Sequence, residues 1–243
     1  MTASARIPAE RRRRRPTRNG TVLSAEGITT AALALIEAPG GNALTVRSLG
    51  VALGCDPSAV YRYFADTDAV LLAAADRLID DSLQGFVPGS SWQDDLRDFA
   101  LRLHRSMLTH PRLAAVRACR VTAGPAEARA VDTGIGILLR AGFEPGQAVR
   151  HYRMFVDTVL AQAAVDAAVL DLDAQRREQQ DMAWSEYHAD LPADAYPHLN
   201  AVRDHLSRMN EPTFPDILET MIDHFTTHLN RPLKASAGGT SPR

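Results

Sequence analysis

The sequence predicts an all-α protein, a small N-terminal helical domain joined to a larger helical one. Three observations predict it. First, two segments carry clean helical stripes. Trp92, Leu96, Phe99, Ala100, Leu103 and Met107 fall at offsets of 4, 7, 8, 11 and 15, and Phe214, Ile217, Leu218, Met221, Ile222, Phe225 and Leu229 at 3, 4, 7, 8, 11 and 15. Second, the N-terminal region is punctuated by short-range start and stop signals, Thr45, Gly54 and Asp56-Pro57 among them. Third, no segment shows the alternation of a half-buried strand, and there is no internal repeat or sustained heptad.

Residues 1–20 lack periodicity and read as a disordered basic arm. Helical signals begin near Leu23, with Ala31, Ala32, Leu35 and Ile36 at helical spacing, and Pro39-Gly40-Gly41 stops them. Thr45 caps a second helix running to Leu53, its Leu49 and Leu53 facing inward, and Gly54 ends it. Asp56-Pro57 reads as an N-cap followed by proline at the first helical position, opening a third helix to about Phe64. Asp66 caps a fourth, carrying Val70, Leu71, Ala74, Leu78 and Ile79.

A break at 85–91 precedes the second domain. Pro111, Pro125 and Pro145 each stand where a new helix can start. A long helix follows Pro145 to Leu170, and 171–212 is polar, proline-containing and irregular. The expected organisation is a basic arm at 1–20, a small helical domain at 21–83, a larger helical domain at 84–230, and a disordered tail at 231–243.

The composition narrows the class. Of 243 residues, 45% are hydrophobic and 23% charged, ordinary for a globular chain. No apolar run reaches the roughly 18 residues of a membrane span, so no membrane partner is expected. The polar, arginine-rich N-terminus does not read as a secretory signal. Two cysteines, Cys55 and Cys119, make no disulfide framework and read as small apolar fillers. A cytoplasmic protein is the expectation.

The net charge of -2 hides an asymmetry. Residues 1–20 hold seven arginines and one acid, and the first 65 residues together carry +5, leaving -7 on the rest. A basic arm on an acidic body suits a polyanion, and no amphipathic stripe accompanies the arginines to suggest a membrane surface. No nucleophile elbow, phosphate loop or zinc motif occurs, which weighs against an enzyme and against a cofactor. His224 and His228 stand four apart on one helix, but no third ligand accompanies them, and they sit off the apolar stripe. They read as a solvated face, and no metal is expected.

Two short helices around Gly54 make a helix-turn-helix. In such a unit the second helix enters the major groove while the first crosses the DNA backbone. On Asp56-Pro-Ser-Ala-Val-Tyr-Arg-Tyr-Phe64, Val60 and Phe64 pack inward, while Pro57, Ser58, Tyr61 and Arg62 face outward. Tyrosines and an arginine on one short helix suit phosphate and base-edge contacts.

The run from Thr45 to Leu71 resembles the DNA-binding domain of the TetR family of bacterial repressors: a threonine-led helix, then Tyr61-Arg62-Tyr63-Phe64, then a short linker into a fourth helix. The family usually carries lysine where this chain has Thr67. Ser91-Trp-Gln-Asp94, Leu108-Thr-His-Pro111, Ala141-Gly-Phe143 and the Phe214–Leu229 helix resemble the C-terminal domain of tetracycline repressors. The resemblance implies a ligand-responsive repressor, a homodimer on double-stranded operator DNA, with a small-molecule effector. An activator or ligand-independent regulator of the same fold is the alternative, and an all-helical enzyme or ligand carrier the more distant one.

By position, the resemblance implies a base contact for Arg47 and phosphate contacts for Thr45, Tyr61 and Tyr63. Pro57, Ser58 and Ala59 become base-proximal, with Arg62 and Thr67 completing the surface. The family's drug-site histidine, asparagine and phenylalanine fall at Leu83, Phe99 and Leu103, and its magnesium-binding histidine at Arg117. The implied pocket (Leu83, Phe86, Phe99, Leu103, Met107, Arg117, Leu138, Tyr152 and Phe155) is thus greasier and suits a hydrophobic or aromatic effector, not a magnesium–tetracycline complex. The resemblance also implies a dimer face containing Val159, Phe214, Leu218, Met221 and Phe225.

Overall fold

A computed structural model describes residues 22–38, 44–188 and 190–230. The arm and tail, and the Pro39-Gly40-Gly41 stop, lie outside the described residues. The described residues form ten α-helices and three tighter or looser turns of helix, joined by short loops. The chain divides into two compact units between Arg77 and Leu78.

In the first unit, α1 spans Ala25–Glu37 and starts where Ser24 Oγ accepts from Gly27 N–H at 3.0 Å. The second helix, α2 (Val46–Leu53), opens on a reciprocal cap: Thr45 Oγ1 accepts from Ser48 N–H, and Ser48 Oγ accepts from Thr45 N–H, both at 3.0 Å. It ends at Gly54, whose φ of 62° is the left-handed conformation that favours glycine. The next segment, Pro57–Arg62, is a 3-10 helix, not the longer helix reaching Phe64. Asp56 Oδ1 caps it by accepting from Ser58 N–H at 2.8 Å. Asp66 Oδ1 accepts from Ala69 N–H at 2.8 Å and opens α3 (Thr67–Leu83), within which the division of the chain falls. Leu23, Ile28, Ala32, Leu49, Val60 and Val70 form this unit's core.

The second unit is organised by α7 (Pro145–Leu170), a 26-residue helix that packs against α4 (Trp92–Thr109), α5 (Pro111–Cys119), α6 (Pro125–Ala141) and α10 (Phe214–Leu229). Proline occupies the first helical turn of α5, α6 and α7, as the sequence predicts. The segment read as irregular holds α8 (Ala174–Met182), a π-helical turn at Ala183–Tyr187, α9 (Pro197–Ala201) and a 3-10 helix at Arg203–Asn210. Its helices are short and bury little besides Leu206, which is why no apolar period marks them.

The Phe214 stripe turns inward. Phe225 is fully buried, Val159 is 1% exposed, and Phe214 and Leu218 are 3% exposed, all within the core of the single chain. Met221 packs half-buried against the same core. Four of the five residues expected at a dimer face, Val159, Phe214, Leu218 and Phe225, are therefore core residues of the single chain, packed where α4, α7 and α10 meet. The Arg97 guanidinium clips α4 to α10 through Glu219, donating from Nε at 2.7 Å and from Nη2 at 2.8 Å. The Phe214 ring stacks on His104 at 3.9 Å between centroids.

Candidate functional site

The helix-turn-helix expected to carry the recognition surface lies in the first unit. A 3-10 helix has three residues per turn, so side chains three apart share a side. Ser58 and Tyr61 form one such column and both are exposed, Tyr61 at 57%. Val60 and Tyr63 form another, facing the core. Arg47, on the first turn of α2, is exposed, as are Pro57 and Arg62. A Cβ on Gly50 would meet Pro57 Cγ at 3.0 Å, so the two helices of the motif approach as closely as glycine allows.

Three expected contact residues are engaged otherwise. Ala59 is 8% exposed and belongs to the first unit's core. Tyr63 is half-buried, and its hydroxyl donates to the Leu23 carbonyl at 2.6 Å, tying the motif to the start of α1. Thr45 is exposed, but its hydroxyl and N–H serve the α2 cap. Thr67 is half-buried at the start of α3. Cys55 is half-buried beside Asp56, and burial pushes its thiol up, away from a reactive thiolate. Cys119, by contrast, is exposed, its thiol donating to the Ala115 carbonyl at 3.0 Å, so it fills no core.

In the second unit seven of the residues expected to line an effector pocket are packed together as core. Leu83, Phe86, Phe99, Leu103, Leu138, Tyr152 and Phe155 belong to one apolar cluster. The Phe86 ring meets Phe99 edge-on at 5.6 Å, and Phe99 meets Phe155 at 6.3 Å. Burial pushes the Tyr152 hydroxyl far up, so it stays protonated. Met107 is placed elsewhere, in a tight cluster with Ala114, Ala163 and Ala167 where α4, α5 and α7 meet. Arg117 is buried on α5 and donates from Nη1 to Ser106 Oγ at 2.9 Å.

Sequence reasoning missed a histidine cluster. His228 Nδ1 lies 3.0 Å from His151 Nε2, and His224 stacks on His228. His228 is half-buried, so the solvated-face reading holds for His224 alone. The i, i+4 spacing of His224 and His228 was visible, but their partner on α7 is 77 residues from His228. Among the described residues no group of three His, Cys, Asp or Glu side chains is arranged to hold a metal. Among them also, no helix is long and apolar enough to cross a membrane.

A capped helix-turn-helix with an exposed tyrosine and exposed arginines, followed by a separate all-helical unit, is the architecture of a DNA-binding regulator. Residues 28–74 match the family model for bacterial regulatory proteins of the tetR family, and residues 87–229 match the tetracyclin repressor-like C-terminal domain. The chain belongs to the TetR family of transcriptional regulators, which are DNA-binding proteins and not enzymes.

An HTH-type transcriptional regulator of Saccharopolyspora erythraea is 30% identical over 56% of this chain. That match spans 60% of the length of the relative. The class C tetracycline repressor of Escherichia coli is 26% identical over 67% of this chain and 74% of its own. Among solved structures, the Streptomyces coelicolor TetR family protein ActR in complex with actinorhodin shares the fold at a TM-score of 0.74 and 22% identity, covering 85% of this chain and 96% of its own.

Proposed function

We propose that this chain is a homodimeric, cytoplasmic repressor that binds a near-palindromic operator and is released by a small hydrophobic or aromatic effector. The observation that carries the DNA-binding part is the exposed Ser58–Tyr61 column flanked by Arg47, Pro57 and Arg62. Arg47 and Arg62 supply the charge and fork geometry for guanine or phosphate, and Tyr61 supplies a hydroxyl for phosphate. The basic arm adds sequence-independent, salt-sensitive affinity. Two copies reading successive major grooves require half-sites about 34–36 Å apart, or a multiple of that.

The effector part is supported by the apolar, aromatic cluster around Phe99 and by the complex that ActR forms with actinorhodin. An effector releases DNA only by preferring the conformer that binds DNA less well. A 100-fold loss of operator affinity requires about 2.7 kcal/mol of coupling.

Selection of bound sequences from a random duplex pool at physiological salt tests the first part. A recurring near-palindrome is expected. Binding that is salt-sensitive but blind to sequence would overturn it and leave only the arm. The selected operator then serves in titrations with aromatic ligands. If no ligand that binds the protein weakens operator binding, the release mechanism falls.

A further inference from the structure

Arg117 carries a distinctive combination of burial and incomplete pairing. The residue is 5% exposed, and burial alone lowers its guanidinium to about 10. A guanidinium has five N–H donors and no acceptor. Its one hydrogen bond among the described residues runs from Nη1 to Ser106 Oγ at 2.9 Å, and the serine hydroxyl in turn points to the Leu78 carbonyl at 3.4 Å. Neither Nε nor Nη2 has a hydrogen-bond partner, and both are buried. No carboxylate of the described residues pairs with it.

These two nitrogens form one edge of the guanidinium, the edge whose parallel N–H bonds match the two oxygens of a carboxylate. The same protein shows that pairing elsewhere. Arg97 uses Nε and Nη2 to hold the two oxygens of Glu219 at 2.7 and 2.8 Å. On Arg117 the equivalent edge is directed into protein and matched by nothing. A buried cation left in that state is strongly unfavourable unless an anion joins it.

The position of this edge relates it to the apolar cluster. Ser106, Leu103 and Phe99 follow each other at intervals of three and four along one face of α4. Arg117 therefore meets α4 at the end of the side-chain row that carries Phe99 and Leu103. Phe86 and Phe155 add aromatic rings around Phe99.

We propose that the effector is an aromatic carboxylic acid whose carboxylate is held side-on by Nε and Nη2 of Arg117 while its ring system lies against Phe86, Phe99 and Phe155. This rests on the reading of the second unit as the effector domain and names the chemical class of the effector. Ser106 holds the other side of the guanidinium, so the fork is oriented before the ligand arrives.

The test is a fluorescence titration of the full-length protein with two probes of one ring system, anthracene-2-carboxylate and the neutral anthracene-2-carboxamide. The wild type is expected to bind the acid about 10-fold or more tighter than the amide, the usual effect of a charge-assisted pair. Arg117→Met keeps the length of the side chain and removes the charge. It should weaken the acid by that factor and leave the amide unchanged. Arg117→Lys, which keeps the charge without the fork, should fall between them.

Equal binding of the two probes by the wild type overturns the role of Arg117 and leaves an apolar effector site standing. That result needs no variant, so it holds even where a substitution unfolds the chain. Undiminished preference for the acid in Arg117→Met overturns it as well. Displacement of the acid by millimolar inorganic phosphate would assign the arginine to a free anion and overturn the carboxylate reading. Failure of both probes to bind would overturn the effector domain itself.

Discussion

His228 Nδ1 and His151 Nε2 lie 3.0 Å apart, joining α10 to α7 through two imidazoles. The other ring nitrogen of His151 is 2.7 Å from the Gln147 carbonyl, which can only accept. His151 Nδ1 therefore carries the proton, and its Nε2 accepts from His228. Burial holds His151 below the ordinary imidazole value of 6.5; the Gln147 carbonyl opposes this, and His228, His224 and Arg150 reinforce it.

The sign of the pH dependence follows. Below about pH 6.5 the unfolded chain takes up a proton at this position that the folded chain resists. Stability is thus fully present above that value and declines as pH falls toward the folded value. Thermal melts between about pH 7 and pH 5 should show this decline. His151→Phe keeps the ring beside Phe143 and Phe225 and removes the titration, so its profile should be flatter. An unchanged slope in that variant would assign the decline to other groups.

Phe225 separates a core stripe from a dimer face. It is fully buried within one chain, against Phe143 and His151. Phe225→Ala should cost about 3–5 kcal/mol of stability, read by urea or thermal denaturation. A residue whose only role was to contact a second copy would instead weaken association at nearly unchanged unfolding midpoint under saturating protein. That outcome would restore the surface reading.

The two tyrosines of the recognition segment should behave differently. Tyr63→Phe deletes the hydrogen bond to Leu23 and should lose about 1 kcal/mol of stability. Tyr61 is exposed and no hydrogen bond of its hydroxyl is needed for the fold, so Tyr61→Ala should leave the melt nearly unchanged. Combined with Arg47→Ala it should weaken operator binding at least 10-fold, as expected for losing two contacts of about 1 kcal/mol each. A folded double variant that binds operator like the parent would remove the recognition surface from this segment.

Gly134 on α6 tests the packing beneath Tyr152. A Cβ there would stand 2.2 Å from Tyr152 Cε2 and 2.7 Å from Cδ2. Alanine normally gains up to about 1 kcal/mol over glycine inside a helix. Here displacement of a buried ring should cost about 1–3 kcal/mol, so Gly134→Ala is expected to destabilise. Adding Tyr152→Leu should recover part of the loss, and additive effects in that double-mutant cycle would show that the two residues do not collide.

What the sequence determined by itself is what short-range chemistry writes. Thr45, Asp56 and Asp66 cap the elements they were expected to cap, because a capping bond spans two or three residues. The prolines of α5, α6 and α7 and the stripes of α4 and α10 were legible for the same reason: helical geometry repeats within a few residues. The residues that the family resemblance assigned to a pocket, Leu83, Phe99, Leu103 and Phe155 among them, do share one apolar cluster. The tertiary structure alone decided which partner each face meets. Tyr63 bonds a carbonyl 40 residues away, His228 an imidazole 77 away, and Arg97 a carboxylate 122 away. It also turned the α10 stripe toward the chain's own core and buried Arg117 without a counter-charge. A period of 3.6 residues says that a helix has an apolar face, but only the packing of several helices says what that face covers.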